Sequence, residues 1–410
     1  MWPLQETQNM SMTSQLRQLR HRLHSNPFAA NNEGFTAACL YNFLRAAGIN
    51  VTHTQVNGGH GMVACVTGKR ISPFPKVPPS VLLRADMDAL PLHEETPNIP
   101  HISQIDGFHH ACGHDGHSTM LAGALIDLHT NNDFEGTVIG VFQPAEETGE
   151  GALQMLNGDI PIPTNGCFGL HNIPGEELGK ILIREGVVAR ASAGASFTIT
   201  GQTSHASEPW LGISPANTIG SLVLHNSPLM QLPQQLLDIG SIPIQIKNAP
   251  VLATPVHLSV GSPGDFGILP GTGKLNVTLR ADQTKELDIL KKAVYAVIQK
   301  EAKASKCELT DMTIIEPFPA VVNDSAQVAI VKEAGKDLSY ELETMEKPFP
   351  WSEDFAHYGE RIGSGAALFG IGAGTDCPPL HSKNYDFPDA LIEIVVPLWV
   401  KIAKKALKST

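Results

Sequence analysis

Leu16, Leu19 and Leu23 recur at three- and four-residue intervals behind the capping-type residues Thr13 and Ser14, and Pro27 follows. That spacing predicts an opening helix with one buried stripe. The period then shortens. Val81-Leu82-Leu83-Arg84-Ala85-Asp86 is a mostly apolar run of strand length ending in a carboxylate, and Thr137-Val138-Ile139-Gly140-Val141-Phe142 is a second. Cys167 to Leu170 is a third, delivering His171 at its end, while Met120 to Leu128 has helical periodicity and starts just after His117. Strand, loop and helix alternate, which predicts an α/β sheet domain. Open α/β sheets take ligands beyond the carboxyl ends of their strands, so chemistry is expected along one sheet edge.

From about Val187 to Phe318 the pattern changes to strand (Ser196 to Thr200), helix (Pro215 to Met230), two strands (Val256 to Val260, Lys274 to Arg280), helix (Leu287 to Ala302) and strand (Glu308 to Ile315). This is a self-contained βαββαβ unit, an α+β ferredoxin-like insertion. It interrupts the first pattern, which resumes with Leu368 to Gly372 as a strand and Ala390 to Lys405 as a closing helix, Pro397 being a candidate kink. The domain reading is therefore 1–186 and 319–410 for the two parts of a catalytic α/β domain, and 187–318 for an inserted one.

Length agrees, since 410 residues at roughly 150 per domain give two or three. Apolar residues at 42% against 17% charged describe a globular chain. A net charge of −12 with no basic run argues against nucleic acid as a partner. No apolar stretch approaches the roughly 20 residues of a membrane span, and the polar amino terminus does not resemble a secretory signal. The scattered cysteines Cys39, Cys65, Cys112, Cys167, Cys307 and Cys377 read as reduced thiols, and the expected location is cytoplasmic.

Two polar clusters carry candidate chemistry. Cys112-Gly113-His114-Asp115-Gly116-His117, behind His109 and His110, packs thiol, imidazole and carboxylate into six positions, a donor set suited to zinc-like metals. A polar loop of satisfied histidines is the alternative reading of the same string. Glu146-Glu147 follows a buried strand, and adjacent carboxylates both stay ionised readily only beside cations; a solvated loop is the alternative here. Asp86 and Asp88 at the end of the Val81 strand, His171 after the Cys167 strand, and His381 in Pro379-Leu380-His381-Ser382 add further donors.

Taken together these strings resemble the M20 metallopeptidase family, subfamily D, which holds hippurate hydrolases, N-acyl-amino-acid amidohydrolases and plant auxin-conjugate hydrolases. The resemblance rests on Leu23-His24 with Pro27 and Glu33, Leu83 to Pro91, His110 to His117, Gln143 to Glu147, Gly169 to Asn172, Gly201 to Pro209, Ser352 to Phe355, and Leu380-His381-Ser382. It implies a zinc-exopeptidase type of catalytic domain with an inserted lid and dimerisation domain. It further implies two divalent ions, Mn or Zn with Co or Ni allowed, held by Cys112, His114, Glu147, His171 and His381. Asp88 would orient a ligand. Glu146 would be the general base, and His205 would reach a partner subunit's active site in a homodimer to stabilise the oxyanion. Arg280 is a candidate contact for a substrate carboxylate, with a strand-end salt bridge as the alternative.

The chain departs from the family at Gly267-Ile268-Leu269-Pro270, where relatives carry an asparagine, at Ser214-Pro215, and from Pro233 to Pro255. The implied reaction is hydrolysis of an N-acyl-L-amino acid to a carboxylic acid and a free amino acid. The alternatives are a dipeptidase or carboxypeptidase on the same site, or a non-catalytic metal-binding relative.

Overall fold

The structure, a computed structural model, describes residues 10–54, 60–71, 77–158, 160–224, 227–232 and 251–408. The chain divides into two compact units: Met1–Val188 with Val321–Lys347 and Asp354–Thr410, and Ala189–Ala320 with Pro348–Glu353. The strip 348–353 thus joins the second unit, although its sequence follows the resumed α/β pattern.

The first unit is built on an eight-stranded mixed sheet. Its strands β1 (Asn50–Thr54), β2 (Gly61–Thr67), β3 (Ser80–Asp86), β4 (Thr137–Gln143) and β5 (Cys167–Ile173) lie in the order β1-β2-β4-β3-β5, continued by Ala366–Gly372, Ile181–Ile183 and Leu342–Thr344. β3 runs parallel to both β4 and β5, and β5 parallel to Ala366–Gly372. Asp86 pairs with Gln143 and Gly370 with His171, so the polar clusters gather at the carboxyl ends of this parallel core. β3, β4 and β5 are buried almost throughout, which explains their unbroken apolar runs.

Helix α1 (Met12–His24) buries Leu16, Leu19 and Leu23 as its spacing demands. Its cap is Ser11, whose side chain accepts the Ser14 N–H, while Thr13 and Ser14 lie inside the helix. Helix α2 (Gly34–Ala46) follows. Helix α3 (His114–Thr130) starts at His114, not after His117, and is buried along nearly its whole length against α1 and the closing helix Ala390–Ala406. The polar first turn looks like loop in sequence because its imidazoles and carboxylate are paired by residues far away in the chain. The closing helix runs on through Pro397. The third strand also differs from expectation, since His171 lies inside β5 and not after it.

The second unit has a four-stranded antiparallel sheet in the order Leu252–Val260, Thr272–Ala281, Ala191–Thr200, Glu308–Phe318. Helices Ala216–Val223 and Thr284–Ala304 complete the βαββαβ sequence. The expected helix Pro215 to Met230 is split: it stops at Val223, where Leu224 turns extended, and 228–232 is helical again, with 225 and 226 outside the described residues. Of the poorly matching stretch Pro233 to Pro255, 233–250 also lie outside them.

Candidate metal centre

Cys112 and His114 flank Gly113, the N-cap of α3, which has φ 89°. A Cβ at Gly113 would sit 2.6 Å from Asn172 Oδ1 and 2.9 Å from the Tyr385 hydroxyl, so only glycine lets the chain turn here. Glu146 and Glu147 follow β4 by way of Ala145, and His381 closes the cluster; Ala145 (φ 51°) and His381 (φ 60°) both hold left-handed backbone without being glycine. Such residues cost about 1–3 kcal/mol each and persist where surrounding contacts over-determine them. His381 is fixed by donating its N–H to Ala111 O at 2.9 Å, while its side chain is 54% exposed, the open side of an otherwise buried cluster.

The five expected ligands come together in overlapping groups. Cys112, His114 and His171 present ligand atoms within 4.8 Å of one another, as do Cys112, Glu147 and His381, and also His114, Glu146 and Glu147. Cys112 Sγ lies 3.4 Å from His171 Nε2, and Glu147 Oε1 lies 3.5 Å from His381 Nε2. The tautomers suit coordination. His114 donates from Nδ1 to Asp88 O at 3.0 Å, and His171 donates from Nδ1 to Asn172 O at 2.9 Å, so each turns an Nε2 lone pair towards the cluster. Buried His114 Nε2 has no hydrogen-bond partner among the described residues. An orphaned lone pair beside thiol, imidazole and carboxylate is what a divalent cation satisfies, so the residues fit such ions.

Charge says the same. Burial opposes a charge on His114, but Asp86, Asp88 and Glu147 hold its pKa up at about 10, so the pocket demands positive charge at that nitrogen. Burial, then Glu147, Glu146 and Asp86, push the Cys112 thiol well above its usual range; it becomes a thiolate only beside a cation. His171 is pushed the other way, by burial and by His117, and stays neutral.

Asp88 supports two of these groups at once: it accepts the Glu147 N–H on Oδ2 at 3.0 Å, and its Oδ1 lies 3.3 Å from His114 Nδ1. Beneath it is a fully buried network. Arg84 donates to Asp86 at 2.6 Å, Asp354 at 2.8 Å and Gln143 at 2.8 Å, and His117 bridges Asp86 and Asn172. Removing one partner of such a buried pair costs about 3–5 kcal/mol because the other charge is stranded. Arg84, Asp354, Gln143, Asn172 and Tyr385 carry no ligand signature in sequence; Arg84 inside an apolar strand is the one that could have been flagged, since a buried guanidinium requires partners.

His24, Glu94 and His109 form a further buried group of metal-ligand type. A proton accounts for it: His24 faces Asp115 through Nδ1 at 2.9 Å and Glu94 through Nε2 at 3.3 Å. Burial disfavours that charge, yet the two carboxylates raise the His24 pKa to about 9.

In the second unit, exposed His205 lies in the two-residue strand Ser204–His205, paired with Ile268. Ser207 donates its N–H to His205 Nδ1 at 3.2 Å, which leaves the neutral ring its proton on Nε2. Arg280 donates to Pro350 O and Ser352 Oγ, both at 3.3 Å, so it binds the 348–353 strip. Gly267 accepts the Ala206 N–H, and a side chain there would meet open space.

Residues 82–405 match the family described as Peptidase family M20/M25/M40. The chain belongs to that family. With it, this M20 protein belongs to the metal-dependent amidohydrolases. It is 31% identical over 401 residues to IAA-amino acid hydrolase ILR1-like 5 of Arabidopsis thaliana, covering 95% of this chain and 86% of the relative. It is 28% identical to hippurate hydrolase of Campylobacter jejuni, covering 97% and 98%. The fold of this M20 chain is similar to that of the YXEP protein of Bacillus subtilis, described as a dinuclear metal binding peptidase, with a TM-score of 0.77 at 23% identity over 97% of this chain and 99% of the other. Among the described residues, no helix of this M20 chain is long and apolar enough to cross a membrane.

Proposed function

We propose that this chain hydrolyses N-acyl-L-amino acids to a carboxylic acid and a free amino acid, with two divalent ions held by Cys112, His114, Glu147, His171 and His381. The observation that carries the reading is the overlap of ligand groups around buried Cys112, with a second carboxylate, Glu146, inside one of them. The relatives named for IAA-amino acids and hippurate support an N-acyl amino acid as substrate. Mn and Zn suit the donor set, and Co or Ni are also compatible.

When bound, the ions supply Lewis-acid polarisation of the amide and lower the pKa of water. Glu146 takes a proton from the attacking water and passes it to the leaving amine. It is buried, and its Oε1 lies 3.5 Å from the Asp354 N–H that orients it. Asp88 keeps His114 and Glu147 in register. His205, with its proton on Nε2, donates to the developing oxyanion of a second subunit, which makes the working form a homodimer through the inserted unit. Arg280 is the candidate partner for the substrate carboxylate, and the cytoplasm is the proposed location.

Free-amine release from N-acetyl, N-benzoyl and indole-acyl amino acids, with plain dipeptides alongside and Mn or Zn added, tests this. Turnover of the acyl amino acids is expected, with Glu146→Gln keeping its metal and losing about 10²- to 10⁴-fold in kcat. A Glu146→Gln enzyme near wild-type rate sinks the base assignment, and faster turnover of unblocked dipeptides moves the reading to a peptidase.

A further inference from the structure

Glu33, the residue before α2, is fully buried although nothing in the proposed chemistry uses it. One of its oxygens, Oε1, accepts two backbone N–H groups, from Asn31 at 2.9 Å and from Ala145 at 2.8 Å. Both donors belong to non-glycine residues in the left-handed region, Asn31 at φ 65° and Ala145 at φ 51°. Ala145 immediately precedes Glu146 and Glu147, and Asp88 takes the next-but-one amide, that of Glu147. The strained turn is therefore pinned from two sides, by Asp88 from the end of β3 and by Glu33 from a segment 112 residues earlier in the chain. Asn31 extends the brace: its side chain donates to Glu150 Oε2 at 3.2 Å and accepts from Gln154 Nε2 at 2.8 Å, in and beside the helix Gly151–Asn157.

We propose that Glu33 is a positioning residue for the Glu146-Glu147 turn, acting through the acceptor oxygen that holds Ala145 in its left-handed conformation and thereby aims the Glu146 carboxylate. The inference rests on the function proposed above. A left-handed alanine with an unpaired amide would relax towards ordinary backbone and the Glu146 carboxylate would swing with it, whereas Glu147 keeps its own brace through Asp88. What is needed from Glu33 is an acceptor, not a charge. Burial and the neighbouring Asp88 raise its pKa to about 7, so the neutral acid is accessible near neutrality and still presents a carbonyl oxygen to both amides.

The test compares Glu33→Ala, which removes the acceptor, with Glu33→Gln, which keeps a carbonyl oxygen in place, reading kcat and KM separately alongside metal content and chelator competition. Glu33→Ala is expected to lose about 10- to 100-fold in kcat, the cost of misplacing a catalytic group by about an ångström, with metal content kept and KM changed less than about threefold. Glu33→Gln is expected to recover to within about threefold of wild type. The proposal is overturned if Glu33→Ala keeps its kcat, if its loss tracks loss of metal, or if Glu33→Gln is as impaired as Glu33→Ala. Should Glu33→Ala fail to fold, Glu33→Asp, whose shorter side chain withdraws the acceptor, is read by the same split. A wild-type enzyme silent on every acyl amino acid overturns the function itself, whereas an active wild type matched by Glu33→Ala overturns only this assignment.

Discussion

Cys112 belongs both to the group formed with His114 and His171 and to the group formed with Glu147 and His381, so its chemical state bears on two candidate ligand groups at once. Its burial beside three carboxylates makes the bare thiol a weak acid, whereas a divalent cation would draw off the proton and leave a thiolate. Thiolates are oxidised where thiols are not, and a sulfenic acid is a poor ligand. Burial also raises the thiols of Cys39, Cys65, Cys167 and Cys377, which directs oxidation away from them. Peroxide added to the metal-loaded enzyme is therefore expected to remove most activity and release metal into a chromophoric chelator. Cys112→Asp, which keeps an anionic ligand, is expected to hold its metal and to resist. Equal resistance in wild type would exclude Cys112 from the ligand set.

At the scale of elements, α1 and α3 are joined by a buried charge network that the candidate metal cluster does not include. Arg20 and His24 of α1 meet Asp115 of α3, and Arg20 also meets Asp386 at 2.7 Å and Asp389 at 2.8 Å. Burial opposes His24's charge and its two carboxylates favour it, the net being a rise from 6.5 to about 9. A raised folded-state pKa stabilises below the unfolded value and ceases to do so as pH climbs through the folded one. At 1.36 kcal/mol per pH unit, about 3 kcal/mol should thus be lost between pH 6.5 and 9. Urea midpoints of the metal-free protein measured from pH 6 to 9.5 check this: the wild type should fall across that window and His24→Gln should show a flatter profile. Identical slopes would remove His24 as the source.

The same network shows what was legible in the sequence and what was not. Apolar runs of strand length located β3, β4 and β5, and the donor-rich strings named Cys112, His114, Glu146, Glu147, His171 and His381, which the structure brings into overlapping groups. Helix α3 starts four residues earlier than the sequence reading places it because His114, Asp115 and His117 carry the composition of a loop, their partners His24, Asp86 and Asp88 lying elsewhere in the chain. The left-handed conformations of Ala145 and His381 had no glycine to announce them. They exist because distant atoms, Glu33 Oε1 and Ala111 O, hold their amides, and long-range pairing leaves no local pattern.

For the whole molecule the decisive matter is whether one chain carries a complete site. His205 belongs to the second unit, is exposed, and keeps its ring proton on Nε2 because Nδ1 accepts from Ser207. Glu146 belongs to the first unit and is buried. If His205 acts across a homodimer, as proposed, the two residues of one working site come from different subunits, and two inactive variants can repair each other. A heterodimer of Glu146→Gln with His205→Ala has one site that receives Glu146 from one chain and His205 from the other, and one site with neither. Random exchange of equal amounts makes about half of the dimers mixed, each with one intact site of two, so about a quarter of wild-type activity should return. Each variant alone should stay well below that level, His205→Ala by loss of an oxyanion donor worth about 10²- to 10³-fold. Return of activity on mixing, checked by size-exclusion chromatography for dimers, requires sharing across subunits. Two variants that are individually inactive, exchange subunits and stay inactive would place His205's partner site within its own chain.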